Sequence, residues 1–288
     1  MAHDRRLLAV LLFLTFSICG ISNAQVTPPG PGGSVRAAPM PGQQVDADQE
    51  ALVRELMEIS GVKAACEDVG LEFWAKFAEG ATDMPYETIH KVLSEVLRPE
   101  LLYRGVENHL NKNFNRAYGL QALEWLRSSP GRKITQAELE AGLPEFGSKA
   151  QSYARQLERT PPTQRRMELL ERLAEASGTI EFSGEQMGGF VERLLSPGHQ
   201  FTAEQLERGY KRSRAIAMEA SSRVLPYMYR GLTSDELTKY IQFLESDAGK
   251  WYEKTTQAGF MQVWLARASE AGKQLAKAGA GKGRVTKP

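Results

Sequence analysis

The residues in this chain whose spacing could support metal chemistry are Glu87 and His90, which form a Glu-x-x-His pair. Residues three apart share one face of a helix, and di-iron bundles use this spacing to direct two ligands at one ion. Such a site needs a second Glu-x-x-His pair and two further glutamates, and the sequence has no second pair. We therefore interpret the pair as part of a solvated helix face and expect no metal.

The sequence also lacks the local motifs of covalent catalysis and of nucleotide binding. The sequence contains no G-x-S-x-G elbow, no H-E-x-x-H zinc motif and no Walker loop. His109 and His199 are the other histidines after residue 24, and neither belongs to such a pattern. We predict a protein without catalytic residues and without a cofactor.

A serine followed three residues later by glycine occurs twice, as Ser128 with Gly131 and as Ser246 with Gly249. A serine at a helix N-terminus accepts a hydrogen bond from the backbone, and a glycine in the first turn allows another chain segment to approach closely. An anion site at the helix start is the alternative interpretation. Capping and close packing account for both occurrences, so we expect a structural role.

The first 24 residues resemble an export signal. Arg5 and Arg6 precede a twelve-residue apolar run, and Ser22 and Ala24 occupy the −3 and −1 positions of a cleavage site. The run is short for a membrane span, which needs about 20 apolar residues, so a retained anchor is the alternative. We expect cleavage near Ala24 and a periplasmic or secreted protein.

Composition narrows the classes further. The 288 residues include 36 Lys plus Arg against 35 Asp plus Glu, and cleavage would leave 34 of each. This balance excludes a dedicated nucleic-acid binder. Cys66 would be the only cysteine after cleavage, on an apolar stripe that favours a buried and inert thiol.

Residues 25–47, rich in Pro and Gly, predict a disordered linker, and residues 279–288 predict a basic disordered tail.

The body between these ends is similar to itself. Residues 51–61 (ALVRELMEISG) align with residues 168–178 (ELLERLAEASG) at an offset of 117, and residues ending at Gly131 and Gly249 align at an offset of 118. Two separated blocks that share almost one offset indicate a tandem duplication. We predict two helical repeats of about 115 residues, 48–160 and 163–278, joined at Pro161 and Pro162.

Both repeats show helical periodicity, and no segment alternates as a strand does. We predict an all-α fold of two tandem bundles with long amphipathic helices, kinked or broken at Pro99 and Pro226. In the first repeat, we expect one helix from Val62 to Phe77 and a long one starting at Asp83. In the second, Thr202 followed by Gln205 predicts a capping box, and Thr233 or Ser234 the start of the next helix.

Residues 224–249 (VLPYMYRGLTSDELTKYIQFLESDAG) resemble the core motif of the bacterial exported domain-of-unknown-function family 2059. The motif positions in the second repeat are Glu236, Leu237, Phe243, Ser246 and Gly249, and those in the first repeat are Trp125, Ser128 and Gly131. Tyr118 replaces the glutamate in the first repeat. The resemblance covers most of residues 50–278 and implies an all-helical periplasmic domain with no assigned activity.

Two noncatalytic functions fit these features. The first is an interaction module that binds another envelope protein or a peptide, as a monomer or weak dimer, through a surface that includes Tyr227, Tyr229, Trp251 and Tyr252. Burial of these aromatic side chains in the core is the alternative for them. The second function is a carrier that holds a small hydrophobic ligand or lipid between helices. A cavity would favour the carrier, and a large exposed apolar patch the module.

Overall fold

The computed structural model describes residues 41–81, 84–197 and 200–282. Within these ranges the regular structure is helical without any strand, which confirms the predicted all-α fold. The thirteen α-helices of the described residues are α1 Pro41–Ile59, α2 Val62–Glu67, α3 Leu71–Ala81, α4 Tyr86–Val96, α5 Pro99–Lys112, α6 Arg116–Arg127, α7 Ser129–Leu139, α8 Phe146–Leu157, α9 Gln164–Ser177, α10 Thr179–Leu195, α11 Ala203–Met228, α12 Ser234–Glu245 and α13 Asp247–Lys282. A 3₁₀ turn at Glu140–Gly142 follows α7.

Several helices begin where side-chain caps were expected. The Thr202 hydroxyl accepts the Gln205 N–H, and the Gln205 side chain accepts the Thr202 N–H at 2.8 Å, so the predicted capping box of α11 is confirmed. Thr233 forms a second capping box at α12 with Glu236. Because a cap depends only on neighbouring residues, short-range sequence is enough to predict it.

The helix predicted from Val62 to Phe77 is wrong, because the chain breaks it into α2 and α3. Gly70 adopts a left-handed φ of 63°, and the Asp68 carboxylate accepts its N–H at 3.2 Å. Helix α3 continues beyond Phe77 to Ala81. Pro99 divides the next long segment as expected and lies at the start of α5, whereas α11 continues through Pro226. Asp83, the expected cap, lies outside the described residues.

The ends of the helical body differ from the expected boundaries. Helix α1 begins at Pro41 and so overlaps the last seven residues of the expected linker. Helix α13 runs to Lys282, four residues into the expected tail. Residues 1–40 and 283–288, where the export signal and the remaining linker and tail were predicted, lie outside the described residues.

The apolar cores join the two predicted repeats instead of remaining separate. The largest core combines α1 to α5 with α10 and α13, and includes Trp74, Phe190 and Trp264, whose rings contact one another. A second core combines α7 and α8 with α9, α12 and the end of α11. A third joins α1 and α6 to Tyr252 of α13. Helices of the two predicted repeats therefore share their packing, because α13 packs against α4, α5 and α6.

Over the described part of the chain, no helix combines the length and the apolar character that a membrane span requires.

Candidate functional site

The residues of the family motif lie at helix starts and in packing contacts. Ser128 caps α7 by accepting the Gly131 N–H at 3.1 Å, and Ser246 accepts the Gly249 N–H at the same distance. A Cβ at Gly131 would overlap the Trp125 carbonyl oxygen of the preceding helix. Capping and close packing therefore explain the repeated serine and glycine, as expected.

The other motif positions also have local contacts. Glu236 accepts the Thr233 N–H at 2.7 Å, and the Lys133 ammonium donates to it at 2.9 Å. These donors hold the pKa of Glu236 down at about 2. Leu237 is fully buried, while Trp125 and Phe243 stack with their ring centroids 5.0 Å apart.

The aromatic residues expected at an interaction surface are mostly in the core. Tyr227, Tyr229 and Tyr252 are buried, with exposures of 9%, 2% and 7%. Trp251 is half-buried against the rings of Phe114 and Tyr118. Buried rings cannot dock a partner. The expected interaction surface is therefore wrong for these three tyrosines, which pack in the core instead.

The Glu87 and His90 pair does not form a ligand set. His90 Nε2 instead lies 3.2 Å from the Glu72 carboxylate, which also accepts the Tyr86 hydroxyl at 2.5 Å. His109 Nδ1 lies 2.8 Å from the Gln262 side-chain oxygen, and His199 lies outside the described residues. Among those residues, no cluster of three or more His, Cys, Asp or Glu side chains is arranged to hold a metal.

The first candidate site is a partly open space of about 60 Å³ where residues of the two predicted repeats meet. We call it the junction cavity. Aromatic rings and polar side chains make up much of its lining. They belong to Trp125, Glu138, Tyr229, Tyr240, Phe243, Tyr252, Glu253, Thr256 and Gln257. Helices α6 and α7 supply one side of the cavity, and α12 and α13 supply most of the other.

Two carboxylates face this cavity from different helices. Glu138 of α7 accepts hydrogen bonds from the hydroxyls of Tyr229 and Tyr240, at 2.8 and 2.9 Å. Glu253 of α13 accepts one from the Gln257 amide at 3.1 Å. Burial and then the charge of Glu138 raise the pKa of Glu253 to about 8, because both disfavour its ionised form.

The second candidate site is an open groove between α10 and α11, with a volume of about 820 Å³. We call it the α10–α11 groove. Its apolar lining consists of Phe77, Met187, Val191, Phe201, Leu206, Tyr210 and Ile216. Small-molecule sites in proteins usually have volumes of roughly 300–1,000 Å³ and a mainly apolar lining, so the groove has a suitable size for a ligand.

Polar side chains along the same groove are mostly paired. Arg223 donates to Glu219 at 2.6 Å, and the Tyr210 hydroxyl donates to Glu192 at 2.9 Å. Arg212 is exposed and forms no ion pair within the described part of the chain. The groove therefore combines an apolar wall with one cation that is available to a ligand.

Sequence reasoning singled out Trp125, Tyr229, Phe243 and Tyr252, which line the junction cavity, but it missed the charged residues of both sites. Glu138 follows the buried Ile134 by four residues and precedes the buried Ala141 by three, so it occupies a core-facing position of α7. A carboxylate at a core-facing position was the available signal. For Arg212 the sequence held no such signal, because the groove depends on how distant helices pack.

No family model, curated protein or solved structure matches the chain.

Proposed function

We propose that this protein is an exported, noncatalytic carrier that binds a small amphipathic molecule in the α10–α11 groove. The observation that carries the proposal is the groove itself, about 820 Å³ in volume and walled by apolar side chains of α3, α10 and α11. A hydrocarbon chain in contact with this wall would leave water, which contributes roughly 25 cal/mol for each Å² buried.

Arg212 indicates the chemistry of the ligand's polar end. Its guanidinium lacks an ion pair in the described chain and lies beside the apolar wall. A guanidinium binds carboxylates and phosphates well because its N–H groups match two oxygens at once. The preferred ligand is therefore a single-chain anion such as a fatty acid.

The exposed surface supports the carrier over the interaction module. Leu120 and Met218 are the exposed large hydrophobic residues of the described chain, and they lie on different helices. A protein-binding surface usually presents a contiguous apolar patch of several hundred Å². Two isolated side chains do not make such a patch.

Export and duplication belong to the same proposal. Export rests on the sequence of residues 1–24, and the mature protein would start near Gln25. Duplication gains support from paired local geometry, because Gly61 and Gly178, at equivalent positions, both adopt a left-handed φ, of 82° and 62°. Membership of family 2059 stays a proposal on the motif residues. Mass spectrometry of the protein from periplasmic extract would test the start at Gln25.

Binding can be tested by isothermal titration calorimetry with dodecanoate below its micelle concentration. A Cβ at Gly209 would meet nothing within 4 Å, so Gly209→Leu should fill the groove without disturbing the fold. We expect at least tenfold weaker binding. Gly80 is also an exposed helical glycine with open space around it, and it does not line the groove. Gly80→Leu should therefore bind as the unmodified protein does.

The charge contribution is tested separately. Arg212→Gln should weaken dodecanoate binding about tenfold, the low end for a charge-assisted hydrogen bond, and leave binding of dodecanol unchanged. Arg208 on the same helix is exposed and paired with Glu204 at 3.1 Å, so Arg208→Gln serves as the control. Equal affinity in Gly209→Leu and the unmodified protein would contradict the carrier function.

A further inference from the structure

The junction cavity has an unusual balance of charge. Its lining includes the carboxylates of Glu138 and Glu253 but, among the described residues, no lysine, arginine or histidine. Glu253 is half-buried, and with a pKa of about 8 it becomes an anion above that pH. Proteins usually pair a partly buried anion or bind a cation beside it. The hydrogen bond from Gln257 to Glu253 is a neutral one, so it does not balance the charge.

An unsatisfied hydroxyl lies in the same lining. Thr256 is 3% exposed, and its Oγ1 has no hydrogen-bond partner in the described chain. It follows Glu253 by three residues on α13, so the two side chains share one helix face. Buried polar groups nearly always have a partner. The Thr256 hydroxyl is therefore placed to accept a hydrogen bond from a ligand in the cavity.

Aromatic rings form much of the remaining lining. Trp125 stacks on Tyr240 and Phe243, with interplanar angles of 5° and 12°, and Tyr252 also borders the cavity. Aromatic rings attract cations and tolerate the hydrocarbon part of an organic one. The lining therefore provides apolar contacts as well as anionic oxygens.

The volume limits the ligand. A water molecule needs roughly 10–15 Å³ of such space, so about 60 Å³ has room for about four heavy atoms. A metal ion is less suitable, because Ca²⁺ takes about six to eight oxygen ligands and no cluster of three or more acidic, His or Cys side chains is placed for a metal in the described chain.

We propose that the junction cavity binds a small primary alkylammonium ion, held by the Glu253 carboxylate and the Thr256 hydroxyl and surrounded by the rings of Trp125, Tyr240 and Tyr252. A primary ammonium has three N–H donors, so it can bond the Glu253 carboxylate and the Thr256 hydroxyl at the same time. This site is independent of the α10–α11 groove, which takes an anion, so either proposal can fail without the other.

The test uses n-propylammonium chloride, an ion of four heavy atoms, with 1-propanol as its neutral analogue and CaCl₂ as the metal probe. Binding is measured by calorimetric titration and by thermal unfolding. Both are done at pH 9, where the amine is mostly protonated. We expect saturable binding and a raised Tm with propylammonium and neither effect with the other probes. Stabilisation by 1-propanol alone, stabilisation by CaCl₂ alone, or no binding of propylammonium would overturn the proposal.

Two variants assign the binding to this cavity. Glu253→Gln should weaken propylammonium binding at least tenfold. Glu270 on the same helix accepts a hydrogen bond from Gln274 at 3.0 Å, in the same arrangement as Glu253 and Gln257 but away from the cavity. Glu270→Gln should bind normally. Thr256→Val, which removes only the hydroxyl, should also weaken binding, and it keeps the test available if Glu253→Gln does not fold. Unchanged affinity in Glu253→Gln, or in Thr256→Val, would refute the proposed site.

Discussion

The indole ring of Trp125 and the phenyl ring of Phe243 stack with centroids 5.0 Å apart and planes inclined by 12°. The two residues hold equivalent positions in the segments that align within the sequence. Contact between equivalent residues is what a two-fold symmetric pairing produces, because each copy presents the same surface to the other. The stack therefore supports the proposed duplication and lies at the boundary between the two segments.

Substitution of the motif glycines should destabilise the protein. A Cβ at Gly131 or Gly249 would overlap the carbonyl oxygen of Trp125 or Phe243, and a backbone atom cannot move aside cheaply. We expect Gly131→Ala and Gly249→Ala each to lower the free energy of unfolding by about 1–3 kcal/mol, as measured by urea denaturation. Gly80→Ala, with open space around it, should instead add up to about 1 kcal/mol. Full tolerance of alanine at both motif positions would contradict the packing role.

The stability of the protein should depend on pH through Glu253. Its pKa is about 8 in the folded state against 4.5 as the reference value, so folding takes up a proton between these two pH values. The free energy of unfolding should then fall as pH rises from 4.5 to 8, by up to about 1.4 kcal/mol per pH unit. Glu253→Gln should remove this slope, and Glu270→Gln should keep it. Identical slopes in both variants would show that Glu253 is not the responsible group.

The α12 capping box should contribute stability with the opposite dependence on pH. Because the pKa of Glu236 is lowered from 4.5 to about 2, its contribution is present above pH 4.5 and is lost as pH falls toward 2. Glu236→Gln should therefore destabilise the protein at pH 7 and have little effect near pH 2. Urea denaturation at both pH values measures this difference.

The α11 capping box provides the matched control, since Gln205 occupies the place of Glu236 and carries no charge. Thr202→Ala and Thr233→Ala should each cost about 1 kcal/mol at pH 7, and only the cost of Thr233→Ala should shrink in acid. A cost for Thr233→Ala that stays constant with pH would contradict the role assigned to Glu236.

Cys66 should be unreactive in the folded protein. The residue is fully buried, and burial together with the nearby charge of Glu67 raises its pKa to about 12. Since the thiolate is the reactive form, we expect no reaction with Ellman's reagent at pH 8 until urea unfolds the chain. Rapid labelling of the native protein would show that the α2 region opens.

The parts of the fold that depend on nearby residues were predictable from the sequence. The caps at Thr202, Thr233, Ser128 and Ser246 each use an N–H only three residues away. The break between α2 and α3 was missed although it is also local. There the Gly70 N–H donates to the Asp68 carboxylate, which favours a turn. The apolar spacing from Cys66 to Phe73 nevertheless continues across the break, so periodicity alone predicts one helix.

The two candidate sites depend on contacts between residues far apart in the chain, which periodicity does not encode. Tyr229 and Tyr240 reach Glu138 across 91 and 102 residues. The periodicity of each helix indicates that one face is buried, but it does not identify the partner helix. For this reason both a surface and the core stayed open for Tyr229 and Tyr252 before the packing was known.

Helix α13 has 36 residues, which corresponds to a length of about 54 Å. It contacts α4, α5 and α6 as well as α10 and α12, so one element contributes to the packing of both halves of the chain. The largest core combines helices of the first half with α10 and α13, so a cut at Pro161 and Pro162 would leave core surface exposed on both fragments. The two halves should therefore unfold as one cooperative unit, whatever their origin.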